Sequence, residues 1–270
     1  MKIYTLNIGQ GQFVVITNKN QAIIIDTYVP LNPKHSEVNI KGALADILKD
    51  KEFIGLIVTG FDDDHFDEVG LKIILYKYRP KWIIYPKYTK HTKNATKCFS
   101  VIKEFDAENN IERIPLKLTK NSERFYTGLS TDFTFEVFSP HEADMDSSNN
   151  CSVVVKVLCK YTGLTYLATG DTENSRWESI AMYFGSAIKS DVLDAPHHGS
   201  KNGITENAIR LIEPDTVLIS AGVENQYNHP DIETVKLCKK YAKHVWQTNA
   251  GEGQSLITYK DNNKIKTFKY

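Results

Sequence analysis

The sequence predicts an α/β protein in which two β-sheets stack face to face and carry helices on their outer faces. Three observations lead to this prediction. Short runs of β-branched and aromatic residues recur along the chain, stretches of helical periodicity alternate with them, and 41% of the 270 residues are hydrophobic, which is enough for a large core. Because no linker-like tract divides the chain, we expect one domain over residues 1–270.

The first half of the chain predicts one sheet. Three strands separated by Gly and Asn turns come first, as IYTLNI, FVVIT and AIIID. The next unit is a helix, VNIKGALADILKD, followed by a strand, FIGLIVTG. The same helix–strand pattern then occurs twice more, first as EVGLKIILYKY and WIIYP, and then as a helix near residues 95–108 and the strand IERIPL. We expect each helix to pack on a face of the sheet.

The second half predicts a second sheet. RFYTG, FTFEVFS, SVVVKVLCKY and GLTYLATG have strand composition and are separated by turn residues. The strands DVLDA, DTVLIS and HVWQT then alternate with helices near residues 174–184, 204–212 and 231–241, and QSLITY and KIKTF close the chain.

Charge and composition exclude several classes of protein. The chain has 33 basic and 33 acidic side chains, a balance that argues against a broadly basic nucleic-acid coat protein and against an acidic solvating chain. Its four cysteines form no C-x-x-C pair, as expected in a reduced cytosolic compartment. We expect a cytoplasmic protein without a signal peptide or a membrane span, since no run of about 18 apolar residues occurs.

The segment TGFDDDHFDEVG, residues 59–70, carries the most chemical information. Asp62, Asp63 and Asp64 directly precede His65 at the end of an apolar strand. Neighbouring carboxylates repel one another unless a cation lies close by, and a divalent metal would meet this need. The same residues could instead cap the next helix, whose N-terminus favours Asp. The segment alone leaves both interpretations open.

Three further segments place possible ligands after strands. Asp171 follows LTYLA, the pair His197 and His198 follows DVLDA, and His229 follows VLIS after a short loop. Each one alone is compatible with an ordinary turn or loop. In α/β sheets, however, ligands gather at the carboxyl ends of strands, and carboxylates mixed with imidazoles are typical of divalent metal sites. The four segments together therefore predict a metal site.

These motifs resemble those of metallo-β-lactamase-fold hydrolases, and most closely those of the soluble β-lactamase-like domain of ComEC-type DNA-uptake proteins. NIGQGQ, IIIDT, VTGFDDDHFDEVG, NNCS, ATGD, APHHGSKNG and SAGVENQYNHP match that group's motifs in order. The resemblance covers nearly the whole chain. It implies an α/β fold of the four-layer αββα type, with two mixed β-sheets flanked by helices, and it says less about any particular substrate.

The resemblance also implies roles for individual residues around a metal-activated water. The implied metal ligands are carboxylates and imidazoles at strand ends: Asp62, Asp64, His65, Asp171 and one of the histidine pair, for which we favour His197. The implied catalytic residues are Asp64, His198 and His229. His229 would lie at the rim, where it could protonate the leaving group or hold a phosphate. The implied substrate contacts near the metal are Asn149 and Ser200.

One position departs from the family pattern. The family motif begins with His where this chain has Gly60, so the second metal position keeps Asp62 and Asp171 with, at best, Asn149 or Asp63. We therefore expect Zn²⁺ or Mn²⁺ as one or two ions, with a weak second site. A mononuclear enzyme, a second ion that arrives with substrate, and a protein that binds without cleaving all remain open. Gly60→His should raise the metal count toward two, unless another residue already fills the place.

Lysines after the strand WIIYP offer a place for phosphate groups. The segment PKYTKHTKNATK contains Lys87 and Lys90 among aromatic residues, which could bind a nucleic acid or a nucleotide, or could form a solvated loop. The resemblance implies hydrolysis of phosphodiester bonds by a nuclease or nucleotide phosphodiesterase. The alternative is a catalytically weakened binding or regulatory component that works with a protein partner. The sequence leaves the oligomeric state open.

Overall fold

The computed structural model describes residues 1–144 and 147–270. The strands are β1 (Lys2–Thr5), β2 (Val14–Thr17), β3 (Gln21–Ile25), β4 (Glu52–Ile57), β5 (Trp82–Pro86), β6 (Glu112–Leu116), β7 (Phe125–Tyr126), β8 (Phe133–Ser139), β9 (Val154–Cys159), β10 (Thr165–Ala168), β11 (Val192–Asp194), β12 (Thr216–Ile219), β13 (His244–Gln247), β14 (Leu256–Asp261) and β15 (Lys264–Lys269). The helices are α1 (Ile40–Ile47), α2 (Glu68–Lys72), α3 (Lys93–Asn109), α4 (Asn174–Phe184), α5 (Glu206–Ile212) and α6 (Ile232–Tyr241), and a π-helical segment, Ile73–Tyr78, continues α2.

The strands form two mixed sheets. The first sheet has eight strands in the order β15-β14-β1-β2-β3-β4-β5-β6, and the second has seven in the order β13-β12-β11-β10-β9-β8-β7. Pairing is parallel from β3 to β6 and from β10 to β13, and antiparallel in the remaining parts of both sheets. The predicted two-sheet α/β architecture is confirmed.

The hydrophobic core has layers that follow the alternation of side chains along each strand. In β3, Ile23 and Ile25 contribute to a cluster between the sheets, while Ala22 and Ile24 face the outer cluster beneath the helices. The inner cluster also takes Phe133 from the second sheet. Strands buried on both faces are apolar without interruption, which is why β3 reads as a continuous hydrophobic run. Both halves of the chain thus contribute to one hydrophobic core, as expected for a single domain over residues 1–270. The assignment of one domain stays a prediction.

The C-terminal hairpin joins the sheet formed by the first half of the chain. β14 pairs with β1, with Leu256 opposite Thr5 and Tyr259 opposite Lys2. The sequence groups both closing strands with the second sheet, and the structure instead places them in the first, because the partner of β14 lies at the other end of the chain. Among the helices of the described residues, none is both long enough and apolar enough to cross a lipid bilayer.

Candidate metal centre

The loop between β4 and α2 carries the run of acidic residues, and its conformation is set by the start of the helix. Asp67 caps α2, since its Oδ2 accepts a hydrogen bond from the backbone N–H of Gly70 at 2.9 Å. A Cβ at Gly70 would lie 1.7 Å from the carbonyl oxygen of Thr27, so only glycine allows this close packing. Because Asp67 is the cap, the alternative in which residues 62–64 cap the helix is wrong.

Four side chains converge where the parallel strands of both sheets end. One ligand atom from each of Asp64, His65, Asp171 and His198 lies within 4.8 Å of the others. His65 Nε2 is 2.9 Å from Asp171 Oδ1, and His198 Nε2 is 3.4 Å from Asp64 Oδ2 and 3.6 Å from Asp171 Oδ1. Atoms this close can coordinate one ion together. We call these four residues the four-ligand cluster.

Hydrogen bonds behind the two histidines aim their Nε2 atoms at the cluster. His198 Nδ1 is 2.8 Å from the carbonyl oxygen of Ser220, which can only accept, so Nδ1 carries the proton of this hydrogen bond. His198 Nε2 is buried and has no hydrogen bond within the described part of the chain. A buried, unsatisfied imidazole nitrogen beside carboxylates fits a divalent cation.

Asp26 fixes the orientation of His65. It is fully buried at the end of β3, and one of its oxygens lies 2.8 Å from His65 Nδ1. Thr59 donates to Asp26 from its backbone N–H and from its hydroxyl, both at 2.6 Å. These donors compensate the buried carboxylate, which holds the imidazole ring with Nε2 toward Asp171.

The carboxylates and imidazoles of the cluster stabilise one another's charged forms. Burial disfavours the ionised carboxyl of Asp171, but His65 and His198 outweigh burial and hold its pKa below the usual value. Burial likewise opposes a charged His65, yet Asp171 and Asp26 raise its pKa well above the ordinary value. Protons therefore balance these carboxylates in the free protein, and a cation would take their place because metal binding requires deprotonated ligands.

The two neighbouring histidines point to different places. Both have left-handed backbone conformations, with φ of 51° for His197 and 54° for His198, which costs about 1–3 kcal/mol per residue. His198 enters the cluster, whereas His197 is partly exposed, with Nδ1 3.6 Å from Glu173 Oε1. The sequence analysis favours His197 as the ligand, whereas the structure brings His198, and not His197, into the four-ligand cluster. The direction of each side chain depends on this unusual turn, which the sequence does not reveal.

The remaining expected ligand, Asp62, lies outside the four-ligand cluster. Its carboxylate pairs with the ammonium group of Lys90. Burial lowers the pKa of Lys90, and the nearby charge of Asp171 opposes this shift. Asn149 is also engaged, since its Nδ2 donates to Glu173 Oε1 at 3.0 Å.

A cleft opens over the cluster. A cavity of about 150 Å³ lies there, lined by Gln10, Asp62, Asp64, Asn149, Asp171, His197, His198, Tyr227 and His229. An adjoining cavity of about 400 Å³ reaches Lys90. The ring of His229 stacks on Tyr227 with centroids 5.8 Å apart, and partial burial together with the charges of His197 and His198 lowers its pKa.

Two of the expected substrate contacts lie elsewhere. The hydroxyl of Ser200 accepts a hydrogen bond from the backbone N–H of Asn202 at 3.4 Å, and Ser200 is not among the residues that line either cavity. Lys87 is exposed and also lies outside both linings. The predicted site residues omit Gln10 and Tyr227, which line the cavity, although both belong to motifs that carry the resemblance, NIGQGQ and SAGVENQYNHP.

The sequence of this chain is similar to parts of two longer bacterial proteins. The chain is 30% identical over 219 residues to ComE operon protein 3 of Bacillus subtilis, covering 81% of this chain and 26% of that protein. It is 26% identical over 262 residues to Recombination protein 2 of Haemophilus influenzae, covering 96% of this chain and 29% of that protein. The chain thus spans less than a third of the length of these relatives. No family model matches the chain.

Solved structures share the architecture at low sequence identity. CmlA, a diiron β-hydroxylase from Streptomyces venezuelae, has a TM-score of 0.56 at 11% identity over 99% of this chain and 54% of its own. Igni18, a metallo hydrolase from Ignicoccus hospitalis, has a TM-score of 0.53 at 13% identity over 97% and 100%. Yeast PDE1 has a TM-score of 0.55 at 12% identity over 91% and 96%. A hydroxylase and a hydrolase share this fold, so these likenesses confirm the fold class alone.

Proposed function

The chain is a ComEC-like protein with the metallo-β-lactamase fold, and on this premise we propose that it is a metal-dependent hydrolase of phosphodiester bonds. The proposed substrates are a nucleic acid or a nucleotide. The observation that carries the proposal is the four-ligand cluster, three of whose residues, Asp64, Asp171 and His198, line a cavity of about 150 Å³. A structural metal site needs no such opening, whereas a hydrolytic site must admit substrate and water.

The donor set suits Zn²⁺ or Mn²⁺, which accept both imidazole and carboxylate ligands. Asp64, His65, Asp171 and His198 would hold the ion. A divalent ion there would lower the pKa of water and stabilise negative charge on substrate oxygens.

Residues of the cleft would position the substrate and move the proton. In hydrolysis the oxygen of a water molecule bonds to phosphorus and the bond from phosphorus to the ester oxygen breaks. Of the two water protons, one stays with the new phosphate hydroxyl group, and the loss of the other is balanced by the proton that the leaving oxygen takes up. His229 lines the cleft and is the proposed donor or phosphate contact. Partial burial, together with the charges of His197 and His198, lowers its pKa in the free protein, and an anionic substrate beside it would favour its protonated form. Asn149 lines the same cleft and can contact the substrate.

A second candidate function is a binding or regulatory component that acts with a protein partner. Gly60 supplies no ligand and Asp62 is paired with Lys90, so the second metal position of the family is incomplete. A site with weakened chemistry could still bind a phosphodiester substrate.

One experiment separates the two candidates. The purified protein is incubated with Mn²⁺ or Zn²⁺ and with bis(p-nitrophenyl) phosphate, single-stranded DNA, duplex DNA, RNA or cyclic nucleotides. Hydrolysis that falls at least about 100-fold in Asp64→Asn and His65→Ala supports the enzyme. Lys103→Met, an exposed change on α3, serves as the control and should leave the rate unchanged. Binding of nucleic acid without hydrolysis, with no tightly held metal and no activation by Mn²⁺, would favour the binding component.

A further inference from the structure

Lys90 forms an ion pair with Asp62, one of the carboxylates that the resemblance assigns to the second metal position. The two side chains are 20% and 27% exposed. Lysines in ion pairs on the helix surfaces are far more open, such as Lys236 at 64% and Lys240 at 62%. The Lys90–Asp62 pair is therefore partly withdrawn from solvent, where charges interact more strongly than on the open surface.

The pair borders the reaction cleft directly. Asp62 lines the 150 Å³ cavity together with Asp64 and Asp171 of the four-ligand cluster. Lys90 lines the adjoining 400 Å³ cavity with the same Asp62 and Asp64. Lys90 and the four-ligand cluster therefore border adjoining cavities that share Asp62 and Asp64.

The second metal position lacks the ligands to hold an ion by itself. A Cβ at Gly60 would have Ser152 Oγ as its nearest neighbour at 3.8 Å, an ordinary contact, so a β-carbon fits where glycine provides no ligand. Asn149 offers only an amide and is hydrogen-bonded to Glu173. Asp62 would then be a poorly compensated carboxylate near two others, a costly arrangement that a nearby positive charge relieves.

We propose that the Lys90 ammonium group replaces the second metal ion of the site. It neutralises Asp62, excludes a second cation from that position, and presents a fixed positive charge to an anionic oxygen of the substrate. The inference rests on the proposed function, because it gives the Lys90 ammonium group a role in binding the substrate of the same cleft. An ammonium group is a compact point charge that commonly binds phosphate, so it can take over the electrostatic part of a cation's role.

Counting bound metal in matched variants tests the exclusion. Each protein is equilibrated with Mn²⁺, freed of unbound metal by gel filtration and analysed by inductively coupled plasma mass spectrometry. We expect about one ion in the wild type and in Gly60→His, and about two in Gly60→His combined with Lys90→Met, because exclusion ends when the ammonium group is removed. Combining Gly60→His with Lys90→Arg or with Lys103→Met should leave the count at about one.

Two results would overturn the inference while leaving the proposed function intact: a count of two in Gly60→His alone, or a count of one in the Gly60→His and Lys90→Met combination. The absence of bound metal from every variant would instead contradict the proposed function, and the inference with it. As a second readout, Lys90→Met should lower kcat/KM for a phosphodiester about 10- to 100-fold at an unchanged metal count, and Lys90→Arg should restore part of it. A kcat/KM equal to the wild type in Lys90→Met would contradict the substrate contact.

Discussion

The two sides of the cleft are built on different principles. On one side, the imidazoles of the four-ligand cluster are buried and each is oriented from behind, His65 by Asp26 and His198 by the carbonyl of Ser220. On the other side, Asp62 is partly buried and its charge is balanced by Lys90. The difference teaches that one side offers imidazoles held in place by buried groups, as metal ligands require, whereas the other offers a carboxylate whose charge is balanced by a lysine.

The largest expected effect comes from removing a ligand on the buried side. His65→Ala should weaken Mn²⁺ binding at least about 100-fold, because loss of a ligand costs more than loss of an orienting partner. Isothermal titration calorimetry measures the affinity. His65→Ala also leaves the buried Asp26 without its partner, which can destabilise the fold. Asp64→Asn therefore provides a second variant, because Asp64 is only partly buried. Circular dichroism checks that both variants are folded. Wild-type affinity in two folded variants would contradict the site.

A smaller loss is expected from the orienting group. Asp26→Asn keeps the shape of the side chain but removes the charge that holds His65, and should weaken Mn²⁺ binding about 10- to 100-fold. The same titration measures it. An affinity equal to the wild type would mean that burial alone orients the imidazole.

Behind the buried side lies a carboxyl group that is neutralised by a proton instead of a lysine. Burial raises the pKa of Asp194 from 3.8 to about 7, and Gln12 Nε2 donates to its Oδ2 at 2.5 Å. The unfolded chain releases this proton near pH 4 and the folded protein keeps it until about pH 7, so wild-type stability falls over that interval and levels off above it. The stability of Asp194→Asn should not fall in this way, because its side chain has no proton to release between pH 4 and pH 7.

Chemical unfolding in the presence of EDTA measures the effect of Asp194→Asn. The gain in unfolding free energy over the wild type should grow between pH 4 and pH 7, to about 4 kcal/mol at most, and stay constant above pH 7. A gain that does not change with pH would show that the carboxyl group is ionised in the folded protein.

On the side of the cleft that carries Asp62 and Lys90, the loss of a carboxylate should have little effect on the affinity for metal. Asp62→Asn is expected to change Mn²⁺ affinity by less than about fivefold, since Asp62 lies outside the four-ligand cluster and its charge is balanced by Lys90. A loss as large as that of Asp26→Asn, measured by the same calorimetry, would place Asp62 among the ligands and remove the contrast between the two sides.

The smallest effect is expected at Lys87, which is exposed and lies outside both cavity linings. Lys87→Met should leave hydrolysis of bis(p-nitrophenyl) phosphate within about twofold of the wild-type rate, as for most surface substitutions. A loss comparable to that of Lys90→Met in the same assay would show that the whole lysine segment acts on the substrate.

What the sequence can predict follows from how local each feature is. Strands, helices and the convergence of Asp64, His65 and Asp171 depend on periodicity and on the common edge where strands end, so local patterns suffice. The choice between His197 and His198 depends on two successive left-handed residues. The pairing of Lys90 with Asp62 joins residues from different loops, and no local pattern indicates it.

Anomalous X-ray diffraction from crystals grown with Mn²⁺ tests the central claim most directly. The account predicts one strong anomalous peak per chain, about 2.0–2.2 Å from ligand atoms of Asp64, His65, Asp171 and His198, and the Lys90 ammonium group in contact with Asp62. A second peak at Asp62 with Lys90 displaced, or no peak at the four-ligand cluster, would contradict it.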